Sequence, residues 1–230
     1  MLLNAVGLFK PLRGLAEKRV VVPAREKVYS LQRFFKKDLG ECGKINESEV
    51  AGLKAKIAAL SEENSAQKKL LSAPLPKNWR FLAVQVIGLE GETLIINAGK
   101  KDGITEGLTA LSESNYLGKV FSVSEEIALV KLPSFYDEKT VVFFIKGEEI
   151  TGRGLLIGRG EGRMKGEQIY SSETVEEGNL AVVDVMGGSL LAGKVISVTE
   201  NKAEAFKTAQ VERLFSPENL RTIFLITGKI

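Results

Sequence analysis

The sequence lacks histidine, and it contains only one cysteine, Cys42, among 230 residues. Without histidine, the chain has neither the base of a Ser-His-Asp or Cys-His nucleophilic site nor a histidine ligand for zinc. A lone cysteine also excludes a disulfide within the chain and a metal site built of several thiolates. Most familiar hydrolase and metalloenzyme chemistry is therefore excluded, and we expect no catalytic residues, no cofactor and no metal.

Long apolar runs are missing as well. A helix that spans a bilayer needs about 20 apolar residues, whereas the apolar stretch at residues 1–9 is interrupted by Asn4 and Gly7. Charge is unevenly distributed, because residues 1–40 carry nine Lys or Arg against three Asp or Glu and the remainder is slightly acidic. Such a basic segment suits anionic lipid or nucleic acid, and a solvated basic helix is the alternative.

Residues 47–72 carry a heptad repeat, the periodicity of a coiled coil. Asn46 and Glu49 resemble a capping box at the start of a helix, and Pro74 ends the helix at a proline-rich junction, residues 73–80. The repeat predicts a homodimer with these residues as its seam: Val50, Leu53, Ile57, Leu60, Asn64 and Leu71. An amphipathic helix that packs on its own chain is the alternative.

Residues 1–46 are predicted to form a basic helix followed by a joint. Heptad spacing links Val28, Phe35 and Cys42 in a frame that differs by one residue from the frame of the next helix. In a parallel pair, residues at this heptad position face each other across the axis, which would bring two Cys42 thiols within reach of an interchain disulfide. A free thiol at a frayed joint is the alternative.

From Phe81 onward, the period changes to 2, and glycine separates short runs of β-branched residues. Evenly spaced short strands of this kind favour a barrel or a sandwich. The pattern predicts strands over residues 81–87, 93–97, 117–123, 127–132, 141–145, 155–157, 180–185, 194–199 and 222–226.

Two parts of this β body resemble each other. The sequence LGKVFSVS at 117–124 matches AGKVISVT at 192–199, and each follows a second matching piece, which ends at Leu111 and at Val182 respectively. Two matches in the same order indicate a duplication. The sequence therefore predicts a mainly β fold with an N-terminal α coiled coil, in which two related small β-barrel units, 81–147 and 148–230, follow a helical rod.

Other features were interpreted as follows. The segment Gly188–Val195 has the glycine and lysine spacing of a P-loop, but it ends in valine instead of the Ser or Thr that would hold Mg²⁺, so no phosphate site is expected. The glycine-rich residues 152–162 are interpreted as hairpin turns. Trp79 is expected to seal the junction between rod and body. Phe135 and Tyr136 are candidate partner contacts, and a loop that caps the core is the alternative.

Pieces spread along most of the chain match one known family. They are KPLRG at 10–14, LSEENSAQKKLL at 60–71, AVQVIG at 83–88, INAGKKDGITEGL at 96–108, YLGKV at 116–120, ITGRGLLIG at 150–158, VEEGNLAVVDV at 175–185 and LAGKV at 191–195. Together they resemble the MreC family of bacterial cell-shape-determining proteins.

The resemblance implies a non-catalytic scaffold for cell-shape maintenance. Members of the family are single-pass inner-membrane proteins whose coiled coil and β-barrels lie outside the cytoplasm, and they form dimers or filaments. They link MreB and MreD to the peptidoglycan synthases that elongate the wall. By this resemblance we expect these proteins as partners, a transmembrane anchor upstream of Met1 and a body on the periplasmic side of the inner membrane.

The combination of a helix and β modules also occurs in proteins of two other functions. A periplasmic adaptor subunit of an efflux or secretion system also joins a helical rod to β modules, and it is the alternative to the scaffold. A protein that binds single-stranded nucleic acid would need basic strands with exposed aromatic residues. Because the β body is net acidic, no nucleic-acid partner is expected.

Overall fold

The computed structural model describes residues 47–201 and 203–229 of the chain. The chain divides into two compact units between Ala59 and Leu60, and the described strands all belong to the second unit. The predicted basic helix within residues 1–46 and the predicted Cys42 disulfide lie outside the described residues.

One long helix, α1 (Glu47–Ser72), precedes the strands. It is rich in Ala, Leu, Lys and Glu, which favour helix formation. At its end, the Ser72 hydroxyl donates a hydrogen bond to the carbonyl of Lys69 at 2.9 Å, and the ring of Pro74 excludes a further turn. The helix predicted for residues 47–72 is confirmed.

The second unit is built of β-strands with two short 3₁₀ turns, Lys100–Asp102 and Pro217–Asn219. The strands are β1 (Trp79–Glu90), β2 (Thr93–Ile96), β3 (Thr109–Ser112), β4 (Asn115–Val123), β5 (Ala128–Lys131), β6 (Lys139–Lys146), β7 (Glu149–Gly160), β8 (Arg163–Tyr170), β9 (Leu180–Val185), β10 (Gly188–Thr199), β11 (Phe206–Glu212) and β12 (Thr222–Lys229). The mainly β fold predicted from the sequence is confirmed.

Strand pairing closes on itself twice. In the first ring, the antiparallel pairings run β1–β2–β5–β4–β3–β12 and return to β1. In the second ring, they run β6–β7–β8–β11–β10–β9 and return to β6. A single parallel pair, Leu191 with Asn115, joins β10 to β4. Closure leaves few backbone groups unpaired at strand edges.

Ring membership differs from the predicted division between residues 147 and 148. Strand β6 falls in the predicted first unit, yet it pairs with β7 and β9 of the second ring. Strand β12 falls in the predicted second unit, yet it lies between β1 and β3 of the first ring. The second ring is therefore an insertion between β5 and β12, and not the C-terminal half of the chain.

Three strands escaped sequence prediction: β3, β8 and β11. Strands β8 and β11 carry Arg, Lys, Glu and Gln on their outward positions, which interrupts the β-branched runs used to find strands. The interpretation of residues 152–162 as hairpin turns is wrong for most of the segment, because β7 extends to Gly160. The former P-loop candidate Gly188–Val195 lies within β10.

The two matching sequence pieces occupy equivalent places in the two rings. The amide of Gly107 donates to the carbonyl of Val120 at 2.8 Å, and the amide of Gly178 donates to the carbonyl of Val195 at 2.9 Å. The register against the next strand also shifts directly after Val120 in β4 and directly after Val195 in β10. Their origin by duplication stays a prediction.

Close backbone approach explains the glycine that both pieces share. A Cβ atom on Gly118 would lie 1.9 Å from the carbonyl oxygen of Lys131, and one on Gly193 would lie 2.5 Å from the carbonyl oxygen of Glu212. Neither contact is sterically allowed, so each strand can approach its neighbour only with glycine at this position.

Two apolar clusters fill the second unit. One lies within the first ring and includes Leu94, Ile96 and Leu225. The other extends from the second ring to Trp79 and to Leu70 of α1. Trp79 is 3% exposed and packs edge-on against Phe81 with ring centroids 6.0 Å apart. Its position agrees with the predicted role of sealing the junction between helix and strands.

Candidate protein-interaction surfaces

The C-terminal part of α1 is attached to the strands by one side. Ala66 and Leu70 pack against the larger apolar cluster, and Leu70 is only 7% exposed. The Lys69 ammonium lies 3.1 Å from the Glu113 carboxylate. The alternative expectation of a helix packed on its own chain therefore holds for this side of residues 60–72.

The predicted seam residues lie elsewhere on the helix and are accessible to solvent. Leu60 and Leu71 are 64% and 84% exposed, while Leu53 and Ile57, in the first unit, are 55% and 67% exposed. Asn64 is exposed and Val50 is half-buried. Regularly spaced apolar side chains left in water are a surface that a second helix would cover.

A second apolar surface lies on the outside of the second ring. We define the β6–β7 patch as six outward side chains in the central part of these two strands: Val141, Phe143, Ile145, Ile150, Arg153 and Leu155. Strand register sets Val141 beside Leu155 and Phe143 beside Arg153. Val141 is 67% exposed, and Ile150 is 58% exposed.

Alternation along β6 explains why these apolar side chains face outward. Val142 and Phe144 are fully buried in the ring, so their neighbours Val141 and Phe143 must point to the other face. The guanidinium of Arg153 lies 5.1 Å from the centre of the Phe143 ring, in cation–π geometry. An aromatic ring, an Arg and apolar neighbours are the composition of a protein-binding hot spot.

Sequence reasoning missed this patch, although a signal was present. The strand sequence KTVVFFIK is apolar on both faces, whereas a strand with one solvated face alternates apolar and polar residues. Periodicity predicts a strand at residues 141–145 but does not show what covers its second apolar face. When a strand is apolar on both faces, the face that points away from the core is covered by another part of the chain or binds a partner protein.

The loop between β5 and β6 contains the predicted contacts Phe135 and Tyr136. Phe135 is half-buried, with the Lys131 ammonium 4.8 Å from its ring centre. Tyr136 is 66% exposed. The loop is fixed to β7, because the Asp137 amide donates to the carbonyl of Gly158 at 3.1 Å. The expectation of partner contact at Phe135 and Tyr136 stays a prediction.

The described residues also contain two open clefts of about 360 and 350 Å³. The charged groups of the second cleft form ion pairs, Glu62 with Arg221 at 3.8 Å and Lys69 with Glu113 at 3.1 Å. In the first cleft, the carboxylates of Glu63 and Asp102 accept hydrogen bonds from the Gln67 side chain and the Gly99 amide. Within residues 47–201 and 203–229, no group of three or more Cys, Asp or Glu side chains could hold a metal ion. In the same residues, no helix is both long and apolar enough to cross a bilayer.

These features define a mainly β, ring-forming protein with an N-terminal helix and exposed apolar surfaces suited to other proteins. The family model described as "Rod shape-determining protein MreC, barrel core" matches residues 88–227. The chain belongs to the MreC family, as the sequence resemblance indicated.

A curated relative is the cell shape-determining protein MreC of Haemophilus influenzae, which is 26% identical over 176 residues. The match covers 73% of this chain and 49% of the relative, so the chain spans about half the length of that protein.

Solved structures share the fold. A structure named MreC, 22% identical, matches 73% of this chain and 99% of its own with a TM-score of 0.63. The major periplasmic domain from the cell shape-determining filament MreC, 20% identical, matches 67% and 99% with a TM-score of 0.56. MreC in a complex with Penicillin-Binding Protein (PBP2) from Helicobacter pylori, 14% identical, matches 65% and 99% with a TM-score of 0.51.

Proposed function

We propose that this chain is a non-catalytic scaffold for cell-shape maintenance, which pairs with a second copy through α1 and presents its rings to enzymes of wall synthesis. Family membership supports the cell-shape role. The observation that carries the pairing is the contrast between two adjacent leucines: Leu70 is 7% exposed, whereas Leu71 in the seam is 84% exposed. At the end of the helix, the side with Leu70 packs on the strands, whereas the side with Leu71 is exposed to solvent.

Burial of the seam supplies the driving force for pairing. Each Leu or Ile side chain that moves from water into an apolar contact contributes at most about 1.5–3 kcal/mol. The seam holds four such residues per chain, Leu53, Ile57, Leu60 and Leu71, each at least 55% exposed in the single chain. Asn64 at a core heptad position favours two strands in register, because its amides can hydrogen-bond across the axis.

The pairing is tested by the double variant Ile57→Lys/Leu60→Lys, measured by light scattering coupled to size exclusion. We expect a monomer, because pairing would bury four ammonium groups in an apolar seam at several kcal/mol. The matched control is Ala55→Lys/Ala58→Lys, which adds the same charge at the same spacing on exposed positions outside the seam. A dimer in both variants would place the contact elsewhere.

For the wall-synthesis partner, we propose the β6–β7 patch as the docking surface. The supporting observations are the exposed Val141 and Ile150, the Arg153–Phe143 pair and the rigid sheet that displays them. The structural relative from Helicobacter pylori forms a complex with a penicillin-binding protein. A rigid apolar surface with an aromatic–Arg pair loses little conformational entropy when a partner covers it.

This docking is tested with Val141→Asp/Ile150→Asp in a binding assay against the penicillin-binding protein encoded in the same genome. We expect at least a tenfold weaker Kd, because two carboxylates would be desolvated in an apolar contact. Tyr170→Asp is the control, since Tyr170 is an exposed aromatic on another strand of the second ring. Unchanged binding by the double variant would exclude the patch.

By family resemblance, we extend the proposal to MreB and MreD as further partners. We also propose an inner-membrane location with the rings on the periplasmic side, and assembly of paired chains into filaments. A periplasmic domain and a filament are the terms used for one of the structural relatives.

A further inference from the structure

The carboxylate of Glu92 lies where the two rings meet. Glu92 belongs to the turn between β1 and β2 of the first ring, and its side chain is 12% exposed. Its Oε1 accepts a hydrogen bond at 3.0 Å from the amide of Gly162, which lies in the turn between β7 and β8 of the second ring. One carboxylate oxygen thus bonds directly to the other ring.

The second oxygen of Glu92 binds both chain segments that connect the rings. Oε2 accepts from the Ser134 hydroxyl at 2.5 Å, and Ser134 lies on the segment from β5 to β6. It also accepts from Nη1 of Arg213 at 2.6 Å, and Arg213 begins the segment from β11 to β12. Nη1 is in addition 3.3 Å from the Ser134 hydroxyl.

Backbone bonds complete this cluster. The Arg213 amide donates to the carbonyl of Gly162 at 3.0 Å, and the Leu132 amide donates to the carbonyl of Glu92, also at 3.0 Å. Both connecting segments and the turn between β7 and β8 are therefore bonded to Glu92 or to a residue bonded to it. Outside this cluster, the described residues link the rings through the strand pair of Leu191 and Asn115 and through the larger apolar cluster, which contains Leu111 and Phe224 of the first ring and Leu190 of the second.

Burial makes this ion pair different from the others in the described residues. Its two side chains are 14% and 12% exposed, whereas both partners of every other pair are at least 26% exposed. Exposed pairs hold little structure in place, because water and salt screen them. A buried pair with its remaining hydrogen bonds satisfied favours one geometry strongly over the alternatives.

We propose that the Glu92 cluster, Glu92 with Ser134, Gly162 and Arg213, is the latch that fixes the angle between the two rings. With the latch closed, the rings move as one body. With the carboxylate removed, the rings stay joined by their two connecting segments, the single β4–β10 pair and the shared apolar cluster. Because apolar contacts are not directional, they leave the angle free to vary, and the second ring turns against the first. The inference concerns the fold of one chain and does not depend on pairing through α1 or on any partner.

The latch is tested by pulsed electron paramagnetic resonance, which measures the distance between two spin labels in the full chain. The labels are attached at Lys119→Cys and Glu149→Cys, and Cys42→Ser removes the native cysteine. Both label sites are exposed, one on each ring and neither in the cluster. Dilution with unlabelled chain restricts the signal to distances within one chain. We expect a narrow distance distribution for this labelled parent chain and a distribution at least twofold wider when Glu92→Ala is added. The control Glu90→Ala, whose side chain is exposed, should have a distribution as narrow as that of the parent.

A second pair of variants leaves all charges in place. Gly160 and Gly162 both adopt positive φ, +80° and +75°, so alanine strains the backbone at either site. A Cβ on Gly162 would lie 2.9 Å from Nε of Arg213, whereas a Cβ on Gly160 would meet open space. We expect Gly162→Ala to widen the distribution and Gly160→Ala to retain the parent width. If Glu92→Ala folds and its distance distribution is as narrow as that of the parent, the latch is disproved. If Glu92→Ala does not fold, a distribution as narrow as the parent's in Gly162→Ala disproves it.

Discussion

At the scale of the residue, Arg213 neutralises Glu92 where neither side chain has much contact with water. We predict that Arg213→Ala lowers the free energy of unfolding by about 3–5 kcal/mol, because it leaves a buried carboxylate without its cation. Urea denaturation followed by the fluorescence of Trp79 measures the change. Arg221→Ala is the control, since Arg221 is 79% exposed and its ion pair with Glu62 spans 3.8 Å; the two variants should differ by at least about 2 kcal/mol.

A second residue-scale prediction concerns Tyr116, whose phenol is 2% exposed at the start of β4. Burial raises the pKa of Tyr116 to about 12 from an ordinary value of 10.0, while a hydrogen bond with Thr140 lowers it in part and Glu138 raises it further. The folded chain therefore keeps this proton at a pH where the unfolded chain has released it. Its contribution to stability is complete below the unfolded pKa and is lost as the pH rises through the folded pKa.

We expect the free energy of unfolding to fall between about pH 10 and pH 12, by an amount on the order of 2 kcal/mol from this group. Urea denaturation at several pH values in this range gives the slope. Tyr116→Phe should reduce the slope, and Tyr136→Phe should leave it unchanged because Tyr136 is 66% exposed. Equal slopes in the two variants would contradict the assignment to Tyr116.

At the scale of the element, the adjacent residues Leu70 and Leu71 of α1 lie in different environments, one buried and one exposed. We predict that Leu70→Ala lowers the free energy of unfolding of the ring-bearing unit by about 2–4 kcal/mol, since it removes a buried side chain from the larger apolar cluster. Leu71→Ala should weaken pairing and change Trp79-reported unfolding by less than about 0.5 kcal/mol, because Leu71 is 84% exposed. Urea titration and light scattering of both variants separate the two effects, and equal losses in unfolding energy would disprove the division.

Local signals made some elements predictable. The predicted range 47–72 of α1 agrees with the structure, and Pro74 accounts for the end of the helix. Strands β8 and β11 were missed because most of their outward residues are polar or charged. The seam of α1 was visible as a heptad pattern, whereas the β6–β7 patch depends on which face of β6 the rings leave uncovered. Which face of β6 is left uncovered depends on how the strands pair, and the periodicity along a single strand does not reveal it.

At the scale of the whole molecule, ring membership could not be predicted from order along the chain. The repeat pieces indicated two units, and contiguous units were the simplest reading. Strand β12 instead pairs with β1, so that Trp79 lies opposite Lys229 although the two residues are far apart in the sequence. Such a pairing depends on long-range packing, because no local turn connects the two strands. The Glu92 cluster was hidden for the same reason, since its members are distant in sequence.

The insertion of the second ring into the first has a consequence for the order of folding. Strands β6 to β11 are contiguous, so the second ring can close as soon as this part of the chain has emerged, whereas the first ring waits for β12. Closing a long disordered loop between β5 and β12 costs entropy that increases with its length. A second ring that is already folded removes most of that cost, because its two connecting segments lie side by side, with Arg213 Nη1 3.3 Å from the Ser134 hydroxyl. We therefore expect the second ring to fold first and to place β12 near β1 and β3, where it completes the first ring.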